Sequence, residues 1–505
     1  MKKEIREQLI LTGMGCFLCT GAVVIVNVLL LPYVREWYGY NALVLMVCTA
    51  AALAAFWLAA RAIRKADEAK LARIRRIAVP AYLAALFVVQ IVLGYMMEYT
   101  PMGDNFMLYN GSQLYAAEGS FESYPDFGLY LARFSNQWGA VMMLIGFWKL
   151  LSLVGITATF MPLVVTQAAL YTLGLHSAFS IVRRVRGARG EVMLLVLLIF
   201  FFPLYLAAGV LYTDTFSAPF VLITLDWAMR AAQEENRKKQ VFDALICAAA
   251  ALLGAQIKMT VLIVLIAAVI VWALCMKPVR ALLCCGLCML MIALGMTGMQ
   301  KAALSTFIDP ALYAQHHTPA IHWVIMSIPR GDNPFGSYSS IDYGITWTMQ
   351  ENGATREEVM DSIYTRLIDR IYTLRYPNRL ITGMLRKNAV SFGDGSFGMT
   401  EMLDDGPVRE NAVSQIVLEG RPYYNAYSVV CTGIFMAHMA LAVWGCLSNI
   451  KQRDTRMAIP AVAFFGILFF LLLWEARARY LFGFAPVLML LAAAGAVRDE
   501  GGQRA

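Results

Sequence analysis

The chain has 505 residues, of which 59% are hydrophobic and only 15% charged, and its formal net charge is +8. With a mean hydropathy of +0.60, this composition excludes a soluble globular protein and leaves a polytopic membrane protein. The positive surplus needs no nucleic acid to explain it, because the basic residues sit in short loops between apolar runs, where membrane orientation requires them.

Apolar runs long enough to cross about 30 Å of hydrocarbon recur along the chain, and lipid demands that they be helices. In order, twelve spans are predicted at 9–31, 41–60, 77–97, 158–182, 191–210, 214–230, 241–257, 259–276, 280–300, 426–447, 457–474 and 480–497. The first follows Lys2, Lys3 and Arg6; it is too long for a signal peptide and lacks a small-residue cleavage site, so it reads as an uncleaved anchor. Five basic loops, 61–76, 183–190, 230–239, 277–280 and 451–456, are expected to be cytoplasmic, as are both termini. Twelve spans satisfy all five only if the apolar stretch 136–154, NQWGAVMMLIGFWKLLSLV, does not cross; it is expected to be re-entrant or to lie on the outer surface.

This divides the chain into a membrane module at 1–300 with an outer loop at 98–157, an extracytoplasmic segment at 301–425, and a closing three-span module at 426–505. The best helix of the extracytoplasmic segment starts at Thr355, where Thr355 and Glu358 form a capping pattern. It carries Val359, Ile363, Leu367, Ile371 and Leu374 at helical spacing until Pro377. That stripe faces either the segment's own core or the membrane surface, with which the basic residues Arg370, Arg375, Arg379, Arg386 and Lys387 are compatible. All ten cysteines fall in or beside spans, none of them in the extracytoplasmic segment, so no disulfides are expected. CCGLC at 284–288 reads as packing.

The third span runs directly into EYTPMGDNFMLYNGSQLYAAEG, residues 98–119. A carboxylate held beside a membrane face is partly desolvated and suits the role of general base, which makes Asp104 the leading candidate. The alternative is that Asp104 caps a helix starting at Asn105. Glu98, Glu118, Glu122 and Asp126 crowd the same loop, and spacing does not choose among them. GAQIKMT places Lys258 in a tight hairpin between two spans, and WEARARYL places Arg477 and Arg479 between the last two. Such cations are often topological or snorkelling, yet these are outward ends where few are expected, and a phosphate would explain them. LYTDTFSAPF puts Asp214 between Thr213 and Thr215 at another outer hairpin, either as a second acidic site residue or as a helix cap. Asp226 and Arg230 are spaced as an ordinary helical ion pair. His176 and His438 read as satisfied core groups. His316, His317 and His322 lack the spaced partners of a metal site.

Four stretches together resemble the GT-C membrane glycosyltransferases, the group that includes protein O-mannosyltransferases and lipid A aminoarabinose transferases. PMGDNFMLYNGSQLYAAEGSF resembles their acidic first outer loop, and YLARFSNQWGAVMMLIGFWKLLSLVGI resembles the following motif with its juxtamembrane helix. GAQIKMT resembles the Lys-bearing hairpin, and EARARYLFGFAPVLMLLAAAG the closing arginine motif. HWVIMSI, GSYSSIDYGIT and SFGDGSF look like patterns of Gram-positive bacterial members. The resemblance implies an all-α polytopic membrane protein, a GT-C-like bundle of about 12 transmembrane helices with an extracytoplasmic α-containing segment. It implies transfer of a sugar from a polyprenyl-phosphate-linked donor to an acceptor hydroxyl of the cell envelope, a glycopolymer, glycolipid or protein. The expected setting is a bacterial cytoplasmic membrane with the active site on the extracytoplasmic side. Carried over by position, Asp104 is the catalytic base. Lys258, Arg477 and Arg479 hold the carrier phosphate, while Asp214, Tyr124 and Asn136 are further substrate-binding candidates. Many relatives have a second acid after the first, but Asn105 stands there; a divalent metal is compatible with the sequence without being required by it. Two rivals remain at this point, a glycan ligase or polymerase using a diphosphate-linked donor, and a transporter, which would instead place ionisable groups at the bilayer midplane.

Overall fold

The computed structural model describes residues 3–32, 41–156, 160–401, 403 and 407–498. Lys2 and the first two residues of the span predicted at 158–182 lie outside them. The described chain is all-helical, and seven of its helices are long and apolar enough to cross a membrane, or eight if one bent pair counts as a single span.

The membrane helices begin with α1 (Lys3–Leu30), α2 (Ala42–Lys65) and α3 (Glu68–Met96). Asn41 caps α2 and Asp67 caps α3, each accepting from a backbone N–H of the first turn. Three short elements follow, α4 (Gly103–Glu118), α5 (Pro125–Arg133) and α6 (Trp138–Leu153). At 16 residues, α6 is about 24 Å long, less than the hydrocarbon thickness, and it packs on α4.

The spans predicted at 158–182 and 191–210 are joined in α7 (Phe160–Ile199), which breaks at Gly187 with φ 60° and ψ −149°. That conformation is open in practice only to glycine, so the RRVRGARG loop is a hairpin within one helical run. A single turn, α8 (Pro203–Leu206), leads to α9 (Thr213–Gln233) and α10 (Arg237–Ile257). Next come α11 (Leu262–Cys275) and α12 (Pro278–Thr306), which continues six residues past the predicted span end at 300. The chain closes with α19 (Tyr424–Lys451), α20 (Ala458–Leu473), a shorter apolar helix of 16 residues, and α21 (Ala485–Ala496).

Between α12 and α19 lie α13 (Pro310–His316), α14 (Ile321–Met326), α15 (Ser340–Glu351), α16 (Arg356–Thr373), α17 (Pro377–Phe392) and α18 (Ser414–Val417). Thr355 and Glu358 form the expected capping box at α16. The stripe on α16 divides. Val359 and Ile363 pack with Ile325 into a small core of their own, each worth about 1.5–3 kcal/mol for full burial. Ile371 is exposed, as are Ile368 and Tyr372 beside it. Two residues read as surface cations are buried instead. Arg370 is paired with Asp342, and Lys387 donates to the carbonyls of Ser327 and Trp474 at 2.8 Å each. A buried cation must have partners, and these two have them.

The ten cysteines are free thiols. His438 is buried and stacks on Phe56 at 5.0 Å, but its ring nitrogens have no hydrogen-bond partner among the described residues. It is therefore core without being satisfied, and His176 is exposed, so the shared reading of the two as satisfied core groups fails for both. Asp226 does pair with Arg230 at 2.8 Å and also holds Arg184.

Candidate active site

The C-terminal end of α3, the start of α9, the end of α10 and the segment after α20 meet at one end of the bundle. There the chain changes direction four times, and each turn presents a polar side chain.

Asp104 stands in the first turn of α4, whose N-cap is Met102. The capping alternative is therefore wrong: the helix begins one residue before Asp104, and the carboxylate turns away from the helix end. It accepts from Tyr130 at 3.1 Å and from Tyr212 at 2.8 Å. Burial, together with the charge of Asp104, pushes both phenols well above their ordinary values. They stay protonated and act as donors to Asp104. Asn105 points elsewhere, donating to the Tyr99 hydroxyl at 3.1 Å.

Tyr212 is the hinge of the site. It is the N-cap of α9, so Asp214 is no cap either, and its carboxylate is used for charge. Asp214 forms an ion pair with Lys258 and lies 3.5 Å from Nε of Arg479. Arg479 in turn reaches the Tyr212 hydroxyl at 3.5 Å and covers its ring with the guanidinium carbon 4.8 Å from the centroid. A continuous polar path thus runs from Asp104 through Tyr212 and Arg479 to Asp214 and Lys258.

Lys258 is the C-cap of α10, in an extended conformation that ends the helix and starts the tight turn into Met259–Val261. Its ammonium also lies 4.0 Å from the centroid of the Tyr480 ring. Burial pulls Lys258 below its ordinary value, against the opposing pull of Asp214. The start of α6 is pressed against this turn. A Cβ on Gly139 would come within 2.3 Å of the Gln256 carbonyl oxygen, so only glycine permits the approach.

Arg477 departs from Arg479. Its guanidinium meets Glu401 at 2.6 Å and Glu475 at 3.5 Å, so two carboxylates face one cation. Glu401 is delivered by the loop that follows α17. There Asp394 accepts from the Ser396 and Gly398 backbone N–H groups at 2.9 and 3.0 Å, and the Phe397 ring wedges between Phe201, Phe435 and Phe482. The segment carrying both arginines, Arg477 extended and Arg479 in the short 3-10 helix Ala478–Phe484, is tied to the segment between α12 and α19. Ser327 donates to the Leu473 carbonyl at 3.0 Å, Ala476 N–H to Gly336 at 2.9 Å, and Lys387 to Trp474.

Two further predicted candidates stand apart. Tyr124 is exposed and packs edge-on against Phe106. Asn136 is exposed, and among the described residues no hydrogen bond holds it to Asp104, Asp214 or Lys258. The other acids of the first loop are engaged or exposed; Glu98 pairs with Arg409 at 3.3 Å and Glu118 accepts from Ser123. Four residues escaped sequence reading: Tyr130, Tyr212, Glu401 and Glu475. Only the tyrosine density of the loop hinted at the first. Among the described residues no three His, Cys, Asp or Glu come together as a metal site. His322 is buried against Thr346 at 3.1 Å, its imidazole pushed down to about 4 by burial.

Fold and site together define an all-helical, multi-pass integral membrane protein with an acid and paired cations gathered at one end of its bundle. Residues 39–498 match the family model described as conserved hypothetical integral membrane protein, and the chain belongs to that family. No curated protein matches the sequence. Among solved structures, ArnT from Cupriavidus metallidurans in the apo state is 13% identical, over 83% of this chain and 77% of that one, at a TM-score of 0.35. The same ArnT bound to undecaprenyl phosphate is 14% identical over the same shares, at 0.29. The archaeal oligosaccharyltransferase AglB from Archaeoglobus fulgidus, in complex with an inhibitory peptide and a dolichol-phosphate, is 11% identical at 0.37. That match covers 83% of this chain and half of AglB. At such identities and scores the overlaps do not determine an activity.

Proposed function

We propose that this protein is a membrane glycosyltransferase that moves a sugar from a polyprenyl-phosphate carrier to an acceptor hydroxyl of the cell envelope, at the extracytoplasmic face of a bacterial cytoplasmic membrane. The observation that carries the reading is the path Asp104–Tyr212–Arg479–Asp214–Lys258. It sets a proton acceptor and two cations side by side at the end of the bundle opposite the Arg-rich turns, which the positive-inside rule places in the cytoplasm together with both termini.

The chemistry follows from charge. Lys258 and Arg479 share one carboxylate, leaving one positive charge for a lipid phosphate; Arg477 has two carboxylates and serves to hold the loop. The acceptor hydroxyl gives its proton to Asp104 as its oxygen bonds the anomeric carbon. The bond from that carbon to the phosphate oxygen breaks, and the electron pair leaves with polyprenyl phosphate, where Lys258 and Arg479 neutralise it. Attack opposite the leaving group inverts the sugar. Tyr130 and Tyr212 hold the carboxylate in position to meet the acceptor hydroxyl.

Purified protein in nanodiscs, given a panel of radiolabelled polyprenyl-phosphate sugars and a cell-envelope extract as acceptor, is expected to release polyprenyl phosphate with at least one sugar. Release that persists unchanged in Lys258→Ala, or none from any donor, would overturn the reading.

A further inference from the structure

On one side the site is continuous with rings supplied by the segment between α12 and α19. Tyr130, which donates to Asp104, packs against Phe134 at 4.7 Å with the rings tilted by 45°, and Phe134 lies near parallel to Tyr343 at 6.0 Å with an interplanar angle of 15°. Tyr343 in turn meets Tyr338 at 6.3 Å and Trp347 at 5.1 Å. The row therefore begins at the proposed base and runs outward. Its far members are open to solvent: Tyr338 is 42% exposed and Trp347 39%. Burial pushes the Tyr338 and Tyr343 phenols above their ordinary values, and the charge of Asp104 adds to that shift at both.

The rim of the row is polar. Arg133 lies over one face of Trp347 at 3.9 Å and is paired with Glu351, which also accepts from the Trp347 indole N–H at 2.8 Å. Glu351 is half exposed, so an oxygen remains open to solvent. An aromatic face bordered by a planar guanidinium and an open carboxylate matches a pyranose ring, whose C–H face is apolar and whose edge carries hydroxyls. It suits an acyl chain poorly, because the rim would strand polar groups against it. Among the described residues there is also no strand edge to which an extended peptide could add.

We propose that Tyr338, Tyr343 and Trp347 form the acceptor subsite, and that the acceptor it takes is a carbohydrate stacked on these rings with its reacting hydroxyl directed toward Asp104. This rests on the transferase reading of the same site and adds to it the chemical class of the acceptor.

The test measures binding to the full-length protein in nanodiscs, using short β-1,4-linked glucose and N-acetylglucosamine oligomers as probes and a free fatty acid and an unstructured peptide as rival ligands. Saturation-transfer NMR reads the sugar protons. At least one oligomer is expected to bind, with saturation strongest on the C–H face, and Tyr338→Ala is expected to weaken it by about fivefold to tenfold, as the loss of one stacking partner implies. Trp347→Ala should do the same, while Trp347→Phe, which keeps a ring, restores most of the affinity. Undecaprenyl phosphate binding is measured in parallel. If the carrier binds and no oligomer does, or if the alanine variants bind oligomer as well as wild type, the acceptor subsite is wrong while the transferase reading stands. Preferential binding of the fatty acid or peptide, lost in Tyr338→Ala, also overturns it. If the carrier itself fails to bind, the transferase reading is what fails.

Discussion

Two carboxylates at opposite ends of the bundle show what a neighbourhood does to an acid. Asp454, in the turn between α19 and α20, is met by Arg186 at 3.2 Å, Arg456 at 2.9 Å and Arg498 at 3.2 Å. Burial raises its value, but the Arg456 guanidinium, its backbone N–H and the neighbouring Arg186 outweigh that and hold it well below the usual carboxylate range. Arg186 further donates to the Ala494 carbonyl at 2.7 Å and to Asn449 at 3.0 Å, which fastens the Gly187 break to the closing helices. Asp104 has no such company: its two partners are phenols, and among the described residues no ion pair reaches it. An acid enclosed by cations is a tie that stays ionised. An acid held by neutral donors keeps its place and can still accept a proton.

Four outcomes break or sharpen that contrast. The largest is structural: Asp454→Ala strands three guanidiniums and is expected to destabilise the folded protein by about 3–5 kcal/mol, as losing one partner of a buried ion pair does. Thermal unfolding in detergent measures it, and turnover per folded molecule should be unchanged. Because the folded value of Asp454 is depressed, its contribution is present above the unfolded value and lost as pH falls below about 4. Next, Lys258→Ala is expected to weaken undecaprenyl phosphate binding by about tenfold to a hundredfold, the worth of one charge-assisted hydrogen bond; equilibrium binding at low and high salt would show it. A smaller effect is expected from Tyr212→Phe, which removes one of two donors from Asp104 and a partner from Arg479; turnover should fall by about threefold to tenfold, with carrier binding close to wild type.

The last is read as a pH slope and concerns Lys387, whose ammonium is pulled down to about 7 by burial, against the opposing pull of Glu475. A neutral amine has two N–H groups, which suffices for its two carbonyl partners. With the folded value below the unfolded one, near 10.4, the unfolded chain binds the extra proton between them. Stability should therefore rise as pH increases from about 7 toward about 10. Lys387→Met should flatten that slope in a thermal melt followed across pH.

What could be read from the sequence follows a physical division. Membrane helices announce themselves by length and apolarity, and a turn must fall between two of them, so Lys258 was locatable from GAQIKMT and the two arginines from WEARARYL. The capping box at Thr355 was equally local. The partners were not, because they depend on contacts between distant residues. Glu401 reaches Arg477 across 76 positions and Tyr212 reaches Asp104 across 108, and no periodicity encodes such a meeting. The same limit explains the mistaken caps at Asp104 and Asp214: a carboxylate in the first turn of a helix looks alike in sequence whether it turns back to the backbone or out to a phenol or lysine. It explains Arg370 and Lys387 as well, which look like surface cations until the packing that encloses them is seen.

The central claim is tested most directly by turnover of Asp104→Asn at saturating polyprenyl-phosphate sugar, measured beside its affinity for undecaprenyl phosphate and its thermal melt. Asparagine keeps the shape and one acceptor oxygen for either Tyr130 or Tyr212, its amide NH2 donating to the other phenol, but it cannot take a proton from a hydroxyl. A fall of about 10²- to 10⁴-fold in turnover, with carrier affinity and melting temperature held, is the predicted result; wild-type turnover in the folded variant would contradict the assignment of Asp104 as the base.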